Sequence, residues 1–217
     1  MVGWLVNEYG LLALGLLVGS LLGGKLATAL FSSAVSAGSD RDYGVLESLN
    51  SGGLLAGSFA AVFDLGKSLT LLICLPLLID LESAGDWLPY SVAMAVILGH
   101  IFSPWAKFSG GKPVAVLLGC LAALMPLSAF LWLAVWLITA AVSRYASLAS
   151  LLAAGGLPLY AVLAGSSLAD RPMLGFALLA LAMTIFCHRP NIRAMQVGSE
   201  PRLTADSFKR AKDGCES

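Results

Sequence analysis

Seven long apolar runs, separated by short polar stretches, dominate the chain. They lie at about 9–31, 53–80, 87–102, 113–124, 127–143, 147–165 and 171–187. A membrane-spanning helix needs roughly 20 apolar residues, fewer where it tilts or the bilayer thins. The pattern therefore predicts an all-α integral membrane protein of about seven transmembrane helices. Within 113–143 the Met125-Pro126 step reads either as a kink in one helix or as a turn between two. A single helix of that length, rising about 1.5 Å per residue, would overshoot the hydrocarbon layer, which favours two. Glycines scattered through the runs, as in Gly19-Ser20-Leu21-Leu22-Gly23-Gly24, are expected to let neighbouring backbones approach closely in lipid.

Composition agrees with this pattern. The 217 residues are 58% hydrophobic and only 12% charged, with a mean hydropathy of +0.85. That charged fraction is about half the usual share of a soluble domain. A formal net charge of zero argues against a nucleic-acid partner. The four cysteines show no paired spacing, so no metal site and no disulfide framework is expected. No basic stretch precedes the first apolar run, and no cleaved signal peptide is expected.

Charge placement then orients the bundle. Seven spans would put 32–52, 103–112, the Arg144-Tyr145-Ala146 link and everything after Cys187 on one side. Ten of the 13 lysines and arginines fall there, Lys25 and Lys67 lie within spans, and Arg171 alone borders the other side. Positively charged loops stay in the cytoplasm, which predicts an outside N-terminus and a cytoplasmic C-terminus. Residues 1–200 read as the membrane domain and 201–217 as a polar cytoplasmic tail.

The reactive chemistry collects on that same side, and most of it allows two readings. Gly110-Gly111-Lys112 is an anion cradle, with backbone N–H groups and a cation at a helix start, or a basic loop serving topology alone. It is not a Walker A loop, because the spacing is absent and Pro113 takes the hydroxyl position. His188, Arg189 and Asn191 supply a base, a cation and donors within four residues, or form a tail that touches lipid headgroups. Ser147 and Ser150 can face a substrate or bond their own backbone. His100 alone reads as a structural histidine. Asp64 and Lys67, three apart on one helix face, are a functional intramembrane pair or one that fixes packing. With no Gly-x-Ser-x-Gly elbow, no HExxH and no Cys/His pair at a plausible spacing, a covalent acyl-enzyme has no clear nucleophile. The set suits transfer from an already activated, phosphate-bearing donor, where positioning and charge stabilisation supply the rate.

Three stretches carry a resemblance: Gly99–Pro113 (GHIFSPWAKFSGGKP), Arg144–Ser150 (RYASLAS) and His188–Glu200 (HRPNIRAMQVGSE). Together with Asp64-x-x-Lys67 they resemble the signatures of the bacterial acyl-phosphate:glycerol-3-phosphate acyltransferases, the PlsY family. The second family motif reads roughly G-H-x-F-P-x-F-x-x-F-x-G-G-K-G and the third H-R-x-N-I-x-R-L-x-x-G-x-E. The likeness runs essentially end to end. It implies one-step transfer of a fatty acyl chain from acyl phosphate to a hydroxyl in the bacterial inner membrane, giving lysophosphatidate without a covalent intermediate, and no cofactor is expected. By the same likeness Gly110, Gly111 and Lys112 bind phosphate. Ser147, Ser150, His188 and Asn191 line the reaction centre, His100 supports it, and Glu200 orders the tail, with Arg189, Gly198, Asp64 and Lys67 also carried over to the substrate site.

The first family motif, near G-S-G-N-x-G-A-T-N-x-x-R, departs. Anchored on Gly57 and Asp64 it falls at 39–50, here Ser-Asp-Arg-Asp-Tyr-Gly-Val-Leu-Glu-Ser-Leu-Asn. Gly44 survives, Asp40 takes the serine position and Asn50 the arginine position. In the family those two residues are associated with the glycerol phosphate. Asp40, Asp42 and Glu47 should repel a phosphate, since like charges at about 4 Å cost roughly 1–4 kcal/mol in wet or partly wet sites. Pro113 and Ala194 are further departures. Glycerol-3-phosphate is the default acceptor. The first alternative keeps the acyl-phosphate donor with a different, non-phosphate small polar acceptor. The second is a catalytically silent scaffold or lipid-binding relative, for which a protein partner would be the natural role.

Overall fold

The computed structural model describes residues 7–31, 43–164 and 171–203, and every regular element among them is a helix. The helices are α1 (Glu8–Ser20), α2 (Gly23–Phe31), α3 (Val45–Leu78), α4 (Leu81–Ala84), α5 (Trp87–Ile101), α6 (Val114–Leu124), α7 (Pro126–Ser143), α8 (Ala146–Ala164), α9 (Arg171–Cys187) and α10 (Arg189–Gln196). A 3-10 turn, Pro104–Ala106, interrupts the α5–α6 loop.

Five segments are long and apolar enough to cross a membrane: Glu8–Phe31, Val45–Leu78, Trp87–Ala106, Pro126–Ser143 and Ala146–Leu163. The bent pair α9–α10 qualifies as a sixth if taken as one span, and α6 is a shorter apolar helix. Leu77, Val142 and Leu163 are each more than three-quarters exposed, the surface of a protein whose solvent is lipid.

Three breaks refine the sequence pattern. The first apolar run is two helices, parted at Leu21-Leu22. The second run begins earlier than its hydrophobicity suggests, at Val45, and bends at Gly53, whose φ of 74° lies in the left-handed region. The 113–143 run is two helices meeting at Met125, with Pro126 opening α7 where its missing N–H is no loss.

Small residues set the tightest crossings. A Cβ on Gly19 would stand 2.1 Å from the Val96 carbonyl oxygen, and one on Gly99 would stand 2.2 Å from that of Leu16. α1 and α5 therefore pack backbone to backbone. At the α3–α6 crossing, Ser68 Oγ donates to the Val116 carbonyl at 3.0 Å. α2 lies on α3 through Ala27, Ala56 and Ala60. These close approaches replace the hydrophobic drive that lipid cannot supply between helices.

Candidate active site

α3, α6, α7, α8 and α10 enclose a cleft of about 470 Å³. Along the helices its wall is apolar: Val62, Leu65, Leu118, Trp132, Leu133 and Trp136. At the end where α6 and α8 begin and α9 hands over to α10, the lining turns polar. Lys112, Ser147, Ser150, His188, Asn191 and Glu200 all face this cleft, together with Gly44 and Glu47. Such a shape suits an amphiphile with its tail along the wall and its head among the polar groups.

Local structure places each of these groups. Pro190 has no N–H to continue the α9 ladder, and the chain bends by 57° between α9 and α10. That bend turns Asn191 back over the start of α8. Glu200 then bridges the two helices, accepting from Ser147 Oγ at 2.5 Å and from Asn191 Nδ2 at 2.9 and 3.2 Å. A carboxylate accepts only, so the amide nitrogen of Asn191 must face it. His188 is buried, with Nδ1 2.9 Å from the Thr184 carbonyl oxygen. A carbonyl cannot donate, so Nδ1 carries the proton and, in the neutral ring, Nε2 carries the lone pair. Ser150 Oγ donates to the Ala146 carbonyl and accepts from Trp136 Nε1 at 3.0 Å.

The start of the tail is fixed rather than separate. Leu203 N–H donates to the Arg144 carbonyl at 2.7 Å, and Arg202 Nε donates to the Tyr145 hydroxyl at 2.9 Å. These bonds clamp the segment carrying Glu200 onto the α7–α8 link. Gly198, with a φ of 74°, makes the turn that brings it there.

The other residues singled out from the sequence lie elsewhere. Arg189 stacks on Phe186 at 4.0 Å and donates to its carbonyl. Asn50 is exposed and away from the cleft lining. Asp40 and Asp42 lie outside the described residues. Gly110 and Gly111 pack against His100: a Cβ on Gly110 would sit 1.9 Å from the His100 carbonyl oxygen, and one on Gly111 would sit 2.8 Å from Nε2 of its ring. Asp64, Lys67 and His100 form a separate buried cluster behind the cleft. Sequence reasoning missed Trp132 and Trp136, because an indole inside an apolar run carries no signal that distinguishes a cleft wall from a lipid-facing surface.

Comparison with known proteins decides the family. The glycerol-3-phosphate acyltransferase family model matches residues 9–198. This chain belongs to that family. A relative from Geobacter sulfurreducens is 31% identical over 93% of this chain and 100% of its own length, and one from Gloeobacter violaceus is 33% identical over 89% and 94%. The match to the Bordetella pertussis relative is stronger locally, 41% identical, but spans about half of each protein: 54% of this chain and 56% of the relative. All three carry the name glycerol-3-phosphate acyltransferase. Two crystal structures of PlsY, an integral membrane glycerol 3-phosphate acyltransferase, superpose on this fold. The glycerol 3-phosphate form has a TM-score of 0.80 at 26% identity, covering 91% of this chain and 96% of PlsY. The lysophosphatidic acid form has a TM-score of 0.79 at 25% identity, covering 95% and 98%.

Proposed function

We propose that this family member transfers a fatty acyl chain from acyl phosphate to the hydroxyl of glycerol-3-phosphate, with the polar end of its cleft on the cytoplasmic side of a bacterial inner membrane. The observation that carries the reading is that Lys112, Ser147, His188 and Asn191, from three separate polar stretches, line one cleft whose remaining wall is apolar. The bias of lysine and arginine to one side supports the orientation.

The chemistry balances without a covalent enzyme intermediate. The acceptor hydroxyl oxygen attacks the acyl carbonyl carbon, a new C–O ester bond forms, and the C–O bond to phosphate breaks with its electron pair leaving on phosphate. The hydroxyl proton passes to His188 Nε2 and from there to the departing phosphate, which restores the neutral ring. Lys112 neutralises the phosphate, while Asn191 and Ser147, held on Glu200 until substrate oxygens compete for them, stabilise the developing oxyanion. Ser150 and Trp136 form the adjoining wall, and the apolar lining holds the chain. Purified protein given acyl phosphate and glycerol-3-phosphate should release lysophosphatidate and inorganic phosphate in equal amounts. No product by mass spectrometry, with a folded sample, would reject the reading.

A second reading keeps the donor and changes the acceptor. Glu47 favours it, because this carboxylate lines the cleft and would repel a second phosphate. A panel of neutral and amine-bearing alcohols in the same assay separates the two. Faster turnover with any of these than with glycerol-3-phosphate would select the second reading.

A further inference from the structure

Behind the cleft, the cluster of Asp64, Lys67 and His100 is sealed from solvent: the side chains are 2%, 5% and 1% exposed. An ion pair inside a membrane protein is costly, and an apolar pair of similar volume often does as well. Its geometry gives the reason it is there. The break between α1 and α2 strands the last carbonyls of one helix and the first amides of the other, within the apolar layer. Lys67 Nζ donates to the Gly19 carbonyl at 3.1 Å and to that of Leu21. Asp64 Oδ1 accepts from Gly23 N–H at 3.1 Å and from Lys67 Nζ at 2.7 Å. The cation sits at the C-terminal end of α1 and the anion at the N-terminal end of α2, as the helix dipoles require.

Lys67 makes one further contact, 3.1 Å to His100 Nδ1. Four acceptors surround its three protons, so one of those bonds is shared. An ammonium only donates, so Nδ1 must hold a lone pair, and the neutral ring carries its proton on Nε2. The Asp64 carboxylate at 3.7 Å from Nδ1 is beyond hydrogen-bond range. The loop runs so close to this ring that only glycine fits at 111, since a side chain there would meet Nε2, and the loop is stitched back by Gly110 N–H to the Ile101 carbonyl at 2.9 Å. Lys112 follows directly.

We infer that Lys67 is a positioning residue: it locks His100 as the Nε2–H tautomer against Gly111, and that contact sets where Lys112 stands in the cleft. The consequence for acyl transfer rests on the role proposed for Lys112, whereas the lock itself does not. His188 donates through Nδ1, so the chain's two histidines are of opposite tautomer.

That pairing gives a test on the unaltered protein. The full chain, labelled with ¹⁵N-histidine in lipid nanodiscs, should show one Nε2–H and one Nδ1–H ring, and His188→Gln should remove the second. Lys67→Met should release the first ring from its single tautomer. It should also shift the rate at which Lys112→Cys reacts with a water-soluble maleimide. In transfer assays Lys67→Met should lose about tenfold or more in kcat/KM, as misplacement of a binding group does, and should add nothing to the loss caused by Lys112→Met. An Nδ1–H form at His100 in the wild-type spectrum would overturn the inference. So would an unchanged thiol rate, or losses that multiply in the double variant. If the protein transfers no acyl group to any acceptor, the ring spectrum and thiol rate still decide the lock.

Discussion

The Asp64–Lys67–His100 cluster and the polar end of the cleft are built from the same kinds of residue and work in opposite ways. In the cluster, each charge turns inward on backbone groups that the α1–α2 break leaves unpaired. In the cleft, Glu200 gathers Ser147 and Asn191 at the edge of a cavity, where an incoming oxygen can compete for them. A charge within a membrane protein therefore does not by itself mark a substrate site. What separates the two regions is whether the partner is the protein's own backbone or an open volume.

Removing one partner of the cluster should have the largest effect on stability. Asp64→Ala leaves Lys67 buried without its counter-ion and should cost about 3–5 kcal/mol, seen as a large fall in thermal stability in detergent. Asp64→Ala with Lys67→Ala together should recover part of it. The cleft should answer differently. Asn191→Ala should lower kcat by about 10²–10³, the usual loss for one oxyanion donor, with the melting temperature nearly unchanged. A matching collapse in stability would erase the distinction between the regions.

Smaller effects sharpen the picture. Glu47→Gln should lower KM for glycerol-3-phosphate by a factor equivalent to about 1 kcal/mol, with kcat little affected. An unchanged KM would mean that this carboxylate does not face the acceptor. Ser128 Oγ is a buried polar atom without a partner among the described residues. Ser128→Ala should therefore leave activity alone and raise stability by up to about 1–2 kcal/mol. A loss of stability there would reveal a bond to water.

Much of this architecture was legible beforehand because the bilayer imposes a simple code. Each apolar run holds helix, and the Met125-Pro126 step marked a true boundary between two, whereas the short helices α4 and α10 stand in polar stretches that the runs left out. The family motifs singled out Lys112, Ser147, Ser150, His188, Asn191 and Glu200, and these residues line one cavity. Hydropathy could not reveal the break at Leu21-Leu22, because both residues are apolar and the run continues through it. Nor could it show that Asp64 and Lys67 serve that break: the helical spacing that put them on one face says nothing of which backbone lies opposite.

The order and apolar length of the helices are properties of the chain alone, since lipid selects them through local hydrophobicity. Which polar groups meet was decided in three dimensions. Ser147 and Glu200 are 53 positions apart, and His100 and Lys67 are 33 apart. Those meetings depend on a bend at Pro190, a turn at Gly198 and backbone crossings at Gly19 and Gly99 acting together. Non-local contacts of this kind follow from how helices pack, and no spacing along the sequence encodes them.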